Sequence, residues 1–209
     1  TRWPRLVWAR VSGYGQTGPM SMLPAFDSIL QARVGLAAAV AADPVLLPTY
    51  VADKVTASFV AQSALAALVQ RGRTGEGAVI DVAMLDTFAY FDGPDLFAAH
   101  QRPGTHAAQV DEMLAAPRTL PTADGWVVLA PVSGQQIKRA LTAAGLESSI
   151  EELKAIADPV ASSHRFFELF GDHLRDHTTE EWMRIFAEAD VPASAVLSKA
   201  EHLDDPQVV

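Results

Sequence analysis

Hydrophobic and polar positions alternate along the chain with clear changes of period. Leu6-Val7-Trp8-Ala9-Arg10-Val11 is a short β-rich run and predicts a buried strand. A Gly-rich loop follows it, Ser12-Gly13-Tyr14-Gly15-Gln16-Thr17-Gly18-Pro19. Phe26 to Val40 carries Ile29, Leu30, Val34 and Leu36 among its apolar positions and predicts a helix. Two prolines, Pro44 and Pro48, make Asp43 to Tyr50 an irregular or extended connection. From Lys54 to Gln70, Val55, Phe59, Ala61, Ala64, Leu65 and Leu68 recur at helical spacing, which predicts a helix buried on most sides. Arg71, Gly72, Arg73 and Gly75 suit its C-terminus. Ala78 to Met84 alternates like a strand, and Leu85 to His100 reads as a helix broken near Gly93-Pro94.

The second half changes character. Gln101 to Pro117 is weakly patterned and reads as a linker. Thr119 to Val132 predicts a β-hairpin turning at Ala123-Asp124-Gly125. Helices are expected over Ser133 to Ala144, closed by Gly145, and over Ser163 to Arg175. A third opens on the capping box Thr178…Glu181 and runs to about Ala189. Phe166, Phe167, Phe170, Trp182 and Phe186 sit at helical spacing and read as core. Pro192 to Val196 is a short extended piece.

Composition narrows the chemistry. The 209 residues are 49% hydrophobic and 20% charged, an ordinary globular balance. With no cysteine there is no disulfide framework, iron–sulfur cluster or thiol catalysis. The net charge of −9 argues against a nucleic-acid partner, since phosphate backbones need a basic surface. The most apolar run, Val34 to Ala42, is far shorter than the ~20 residues of a spanning helix, and no secretory h-region is visible, so the expected setting is cytoplasmic and away from membranes. Starting at Thr1, the chain reads as processed or as a piece of something longer.

Few motifs survive scrutiny. Gly13-x-Gly15-x-x-Gly18 matches the dinucleotide fingerprint, but Pro19 and Pro24 bracket the place where a helix should begin. The loop reads instead as a flexible tight turn, or as backbone that shapes a pocket at a strand's C-terminal end. His173 and His177 lie on either side of a helix break and read as solvated rather than metal-binding, and no metal is expected. Asp53 has two readings. It suits a helix N-cap, and it also suits a carboxylate kept ionised at a helix N-terminus, beside apolar groups, where it can attack an acyl carbon.

Several strings line up in one order. They are the loop Ser12 to Pro19, Ala25-Phe26-Asp27, Gln31 to Leu36, Ala52-Asp53-Lys54-Val55-Thr56-Ala57, Arg71 to Gly77 and Asp81 to Asp86. Thr122 to Trp126, Val191 to Val196 and Leu203 to Gln207 continue the series. Together they resemble the family III CoA-transferases, the CaiB/BaiF family, over nearly the whole chain.

The resemblance implies an α/β fold: part of a Rossmann-like large domain over 1–100, a linker over 101–117, a smaller α/β (α+β) domain over 118–200 and the start of a return linker over 201–209. It implies transfer of coenzyme A from an acyl-CoA to a carboxylic acid, with Asp53 as the nucleophile and an aspartyl-CoA thioester on the way. Pro24, Ala25, Phe26 and Asp27 match a segment lining the CoA site, and Gly13, Tyr14, Gly15 and Gln16 form the substrate loop. The CoA thioester is a substrate, with no permanently bound cofactor. The partner implied is a second copy, in an interlocked homodimer. Two alternatives stand beside this reading: a truncated, non-catalytic member, and a racemase of 2-methylacyl-CoAs. The racemase branch has a proton-shuttling histidine where this chain has Phe26.

Overall fold

A computed structural model describes residues 2–39, 43–101, 118–171 and 173–208, the stretch 94–101 by its backbone alone. The chain divides into two compact units, Thr1–Thr105 and His106–Val209. Apart from Gln101, the expected linker lies outside the described residues.

The first unit is built on a parallel pair of strands. β1 (Val7–Ser12) pairs with β2 (Ala78–Ala83) in the register Val7↔Ala78 to Ser12↔Ala83. A parallel pair needs a long crossover. Here it contains α1 (Asp27–Arg33), α2 (Leu36–Ala39) and the long α3 (Val51–Thr74). The helix expected over 26–40 is thus two short ones. Gly35, at φ 94°, takes the left-handed conformation that ends one and begins the other. α3 stops at Gly75, also left-handed at φ 78°, whose N–H bonds back to Arg71. α4 (Met84–Gln101) follows β2 without a break and runs continuously past Gly93-Pro94. Pro94 has no N–H for the carbonyl of Tyr90, yet Tyr90 is exposed, where water can replace that bond.

The small core of this unit is Leu30, Val34, Ala52 and Phe88, with Tyr14, Ala25, Val55, Met84 and Leu85 packed around it. Two expectations fail here. β1 is not buried, since Trp8 is 58% exposed and Val11 is open as well. α3 is not buried on most sides either: Ala52, Thr56 and Ala67 are covered, while Leu65, Leu68 and Val69 face outward. The reason is geometric, because two strands on one side and α1 and α4 beside its N-terminal part cannot cover the circumference of a 24-residue helix.

The second unit carries an antiparallel sheet in the order β3 (Thr119–Pro121), β4 (Trp126–Leu129), β5 (Ala193–Ala195). The predicted hairpin is β3–β4, and the extended piece at 192–196 becomes the third strand. Around one core with the sheet lie α5 (Gly134–Ala143), α6 (Ile150–Ala155), α7 (Pro159–Phe170) and α8 (Thr179–Glu188), the last against β5, with a short α9 (Lys199–Leu203) near the end. α7 starts four residues earlier than expected, on an Asp158 cap with Pro159 in its first turn, and it closes at Phe170. A 3₁₀ turn, His173–Asp176, overlaps the end of the predicted span.

The aromatic reading holds. Phe166, Phe167, Phe170, Trp182 and Phe186 are all buried in one core with Leu120, Val127, Leu129 and Leu141. Trp182 stacks on Phe186 at 5.3 Å and donates its indole N–H to the Leu174 carbonyl at 2.7 Å. His173 is half-buried rather than solvated, because its Nε2 lies 2.6 Å from the Ala144 carbonyl oxygen. His177 stays exposed and sets its ring edge against Trp182 at 5.2 Å.

Asp124 ties the hairpin turn to α8. Its carboxylate accepts from the Thr179 N–H at 2.8 Å and the Thr179 hydroxyl at 2.9 Å. Those bonds, the backbone one foremost, hold its carboxyl below the usual carboxylate range. Glu181 is lowered in the same way by the Thr178 N–H of the capping box. A carboxyl whose folded pKa is depressed adds stability above its unfolded value, about 4, and loses it as pH falls through the folded value. The unfolding temperature of the chain should therefore hold near neutral pH and fall below about pH 4. Asp124→Asn should lower the neutral plateau and flatten the acid fall, as read by thermal unfolding across a pH series.

Candidate active site

The site is built where α1, α3 and the Gly-rich loop meet. α3 begins without help from its own N-cap residue, because the side chain of Tyr50 caps nothing. The first N–H groups of a helix have no partner within it. Asp27, from the start of α1, supplies one. Its Oδ2 accepts from the N–H of Ala52 at 2.7 Å and of Asp53 at 3.2 Å. These are the two amides that an N-cap side chain ordinarily serves.

The other Asp27 oxygen accepts from Gln31 Nε2 at 2.6 Å, one helical turn along. Gln31 then grips the chain leading into α3. Its Nε2 also donates to the Thr49 carbonyl at 3.0 Å, and its Oε1 accepts from the Leu47 N–H at 2.9 Å. Asp27 and Gln31 are 4% and 2% exposed, so this polar network is buried and its members satisfy one another. On the outside, Lys54 Nζ donates to the Thr49 hydroxyl at 2.6 Å.

Asp53 is therefore not an N-cap. It is the third residue of α3, and its exposed carboxylate takes no hydrogen bond among the described residues. It lies in a shallow groove of 490 Å³ with Val11, Thr56, Ala57, Ala61 and Met84. Small α3 side chains make that groove nearly all apolar. One turn below Asp53, the hydroxyl of Thr56 donates to the Ala52 carbonyl and lies 3.0 Å from the hydroxyl of Thr87, which bonds back to Met84. This buried pair fastens α3 to α4 beneath the groove.

The loop residues separate into two groups. Gly13 and Tyr14 face the site's framework. The Gly13 carbonyl accepts from Leu85 at the start of α4, and Tyr14 packs on the core around Leu30 and Phe88. A methyl group on Gly13 would lie 2.3 Å from Cβ of Ala25, so the loop and the 24–27 segment are in closest contact there. Gly15 and Gly18 have φ of 90° and 96°. The Gly15 N–H is engaged by the Ser12 hydroxyl at 3.1 Å, which ties the loop to the end of β1. Gln16 is exposed.

In the 24–27 segment, Pro24 and Phe26 are exposed, Phe26 at 70%, while Asp27 points inward. The carboxylate of Asp27, the last residue of this segment, is taken up by Gln31 and the α3 amides. Gln31 and Thr56 lie in the aligned strings without an assigned role, and Thr87 lies outside them. A buried glutamine four residues after an aspartate was the available signal for the first. The threonine pair joins two helices and leaves no local pattern.

The threonine pair should show coupling. Thr56→Val should cost about 1–2 kcal/mol, the usual worth of buried hydrogen bonds. In a double-mutant cycle with Thr87→Val, the double variant should lose less than the two single losses added. Urea unfolding of the variants reads both numbers.

Comparison with known proteins agrees with this architecture. A model of CoA-transferase family III matches residues 1–209. The chain is 28% identical over 216 residues to the succinyl-CoA–D-citramalate CoA-transferase of Chloroflexus aurantiacus, covering 99% of this chain and 53% of that one. It is 24% identical over 212 residues to the succinate–glutarate CoA-transferase of Agrobacterium fabrum, covering 98% and 53%. A shorter stretch of 102 residues is 41% identical to the acetyl-CoA:oxalate CoA-transferase of Acetobacter aceti, covering 46% and 24%. The crystal structure of a CaiB/BaiF family protein from Brucella suis superposes with a TM-score of 0.79 at 21% identity, over 98% of this chain and 56% of that one. The mixed α/β fold is thus shared, and the chain spans about half the length of the curated relatives it matches. It belongs to CoA-transferase family III.

Proposed function

We propose that this chain carries the catalytic carboxylate of an enzyme that moves coenzyme A from an acyl-CoA to a carboxylic acid. The observation that carries the reading is the state of Asp53: third in a helix capped by another residue, its carboxylate unengaged beside an apolar groove.

In this mechanism Asp53 is the nucleophile. Its oxygen attacks the thioester carbonyl, the C–S bond breaks, and CoA thiolate leaves behind a mixed anhydride. The thiolate then attacks the Asp53 acyl carbon, frees the donor acid as its carboxylate and forms an aspartyl-CoA thioester. The acceptor carboxylate attacks that thioester to give a second anhydride, and the returning thiolate takes the acceptor's acyl group and restores Asp53. Each step exchanges one acyl–heteroatom bond for another, as covalent catalysis requires. An apolar groove would favour the first attack once a bound acyl-CoA covers it, because a carboxylate then shielded from water gives up less hydration on reaching the carbonyl.

Pro24, Ala25 and Phe26 would border the CoA path, with Gly13 to Gln16 shaping the acyl side. The β1–α3–β2 crossover fits part of a Rossmann-like domain, in which ligands gather at the C-terminal ends of parallel strands. Ser12 and Ala83, at those ends, adjoin the loop and α4. A homodimer suits the outward apolar groups of α3, Leu65 and Val69. The racemase reading fares less well, because Phe26 has no proton to move.

The test is intact mass after incubation with a panel of acyl-CoAs, with and without hydroxylamine, beside Asp53→Ala. A CoA-sized adduct that hydroxylamine removes, absent in the variant, is expected. No adduct from any acyl-CoA, together with no CoA binding, would leave family membership and overturn the catalytic reading in favour of a non-catalytic member.

A further inference from the structure

We propose that Asp27 is a positioning residue that makes the start of α3 independent of the covalent state of Asp53; the inference rests on Asp53 as nucleophile. A carboxylate at the third position of a helix has an ordinary local use. It reaches back toward the N-cap amide and helps satisfy the free donors of the first turn. In that arrangement a reactive aspartate would hold its own helix end. Every conversion to an anhydride or thioester would remove the charge and weaken the acceptor, and the first turn would loosen as the reaction proceeded.

The observed arrangement avoids this. The Ala52 and Asp53 amides are taken by Asp27 Oδ2, from a different helix. Asp27 is buried and fixed by Gln31, which in turn holds the backbone at Leu47 and Thr49. The Asp53 backbone is thus clamped through its own N–H while its side chain stays unengaged. The same two amides carry much of the positive end of the helix dipole. With Asp27 on them, those amides are not available to the Asp53 carboxylate, whose oxygens stay free to attack. Asp27 touches no reacting atom and acts through the position of α3.

Three measurements on the full chain test this. The first is thermal unfolding. Asp53→Ala should change the unfolding temperature by less than about 2 °C, whereas Asp27→Asn should lower it by several degrees, one kcal/mol being ~2–4 °C at this size. The second is amide hydrogen exchange. Exchange at residues 52–53 should quicken at least tenfold in Asp27→Asn and stay unchanged in Asp53→Ala. The third is the rate of adduct formation at saturating acyl-CoA. It should fall at least tenfold in Asp27→Asn, with the half-saturating acyl-CoA concentration within about two-fold of wild type. Phe88→Leu destabilises the same core without touching the α3 amides. It should lower the unfolding temperature and leave that rate within two-fold.

Unfolding and exchange that respond to Asp53→Ala as strongly as to Asp27→Asn would overturn the inference. So would a folded Asp27→Asn that forms adduct at the wild-type rate. If the wild type forms no adduct at all, the nucleophile reading fails instead, and the exchange comparison still decides whether Asp27 alone holds the start of α3.

Discussion

One buried carboxylate holding the first amides of a neighbouring helix organises the whole first unit. Asp27 joins α1 to α3 at the point where the chain, after Pro44 and Pro48, has no regular structure to guide it. Gln31 extends the grip to the incoming backbone, so the direction of α3 is set before its first turn is complete. Once α3 is aimed, Thr56 meets Thr87 and Ala52 meets the core around Phe88. The groove follows as the remainder of that geometry: a strand end, a helix face of small residues and a carboxylate without a partner among the described residues.

The two units make different use of apolar material. The second closes a dense aromatic core between a small sheet and its helices, with the indole N–H of Trp182 satisfied inside. The first spends its polar groups inside and leaves many large apolar side chains outside, among them Trp8, Leu65, Tyr90 and Phe91. Surface of that kind is ordinarily covered by more protein. That agrees with a chain that matches about half of each full-length relative.

Much was legible in the sequence where the determinant is local. The hairpin turn at Asp124-Gly125, the Thr178…Glu181 capping box and the aromatic spacing of α7 and α8 each depend on residues within a few positions of one another. Other features depend on distant partners and were not legible. Periodicity shows that α3 is apolar on several sides but not whether anything covers them. Asp53 resembles an N-cap because nothing in the local string shows that Asp27 has taken that role. Ile150–Ala155 was missed, a helix too short to establish a period. Gly35 lay inside an apolar run strong enough to mask the break.

The contact of Gly13 with Ala25 has an evolutionary consequence. The two positions share space that admits one methyl group. Position 13 cannot gain a side chain while position 25 keeps its methyl group, so a change at 13 has a set order. Position 25 must first shrink to glycine before position 13 can gain a side chain, and the intermediate with two glycines carries extra backbone freedom beside the reactive groove. A lineage that has exchanged the two residues would have passed through that state. This contact therefore makes the path between sequences, as well as their end points, subject to selection.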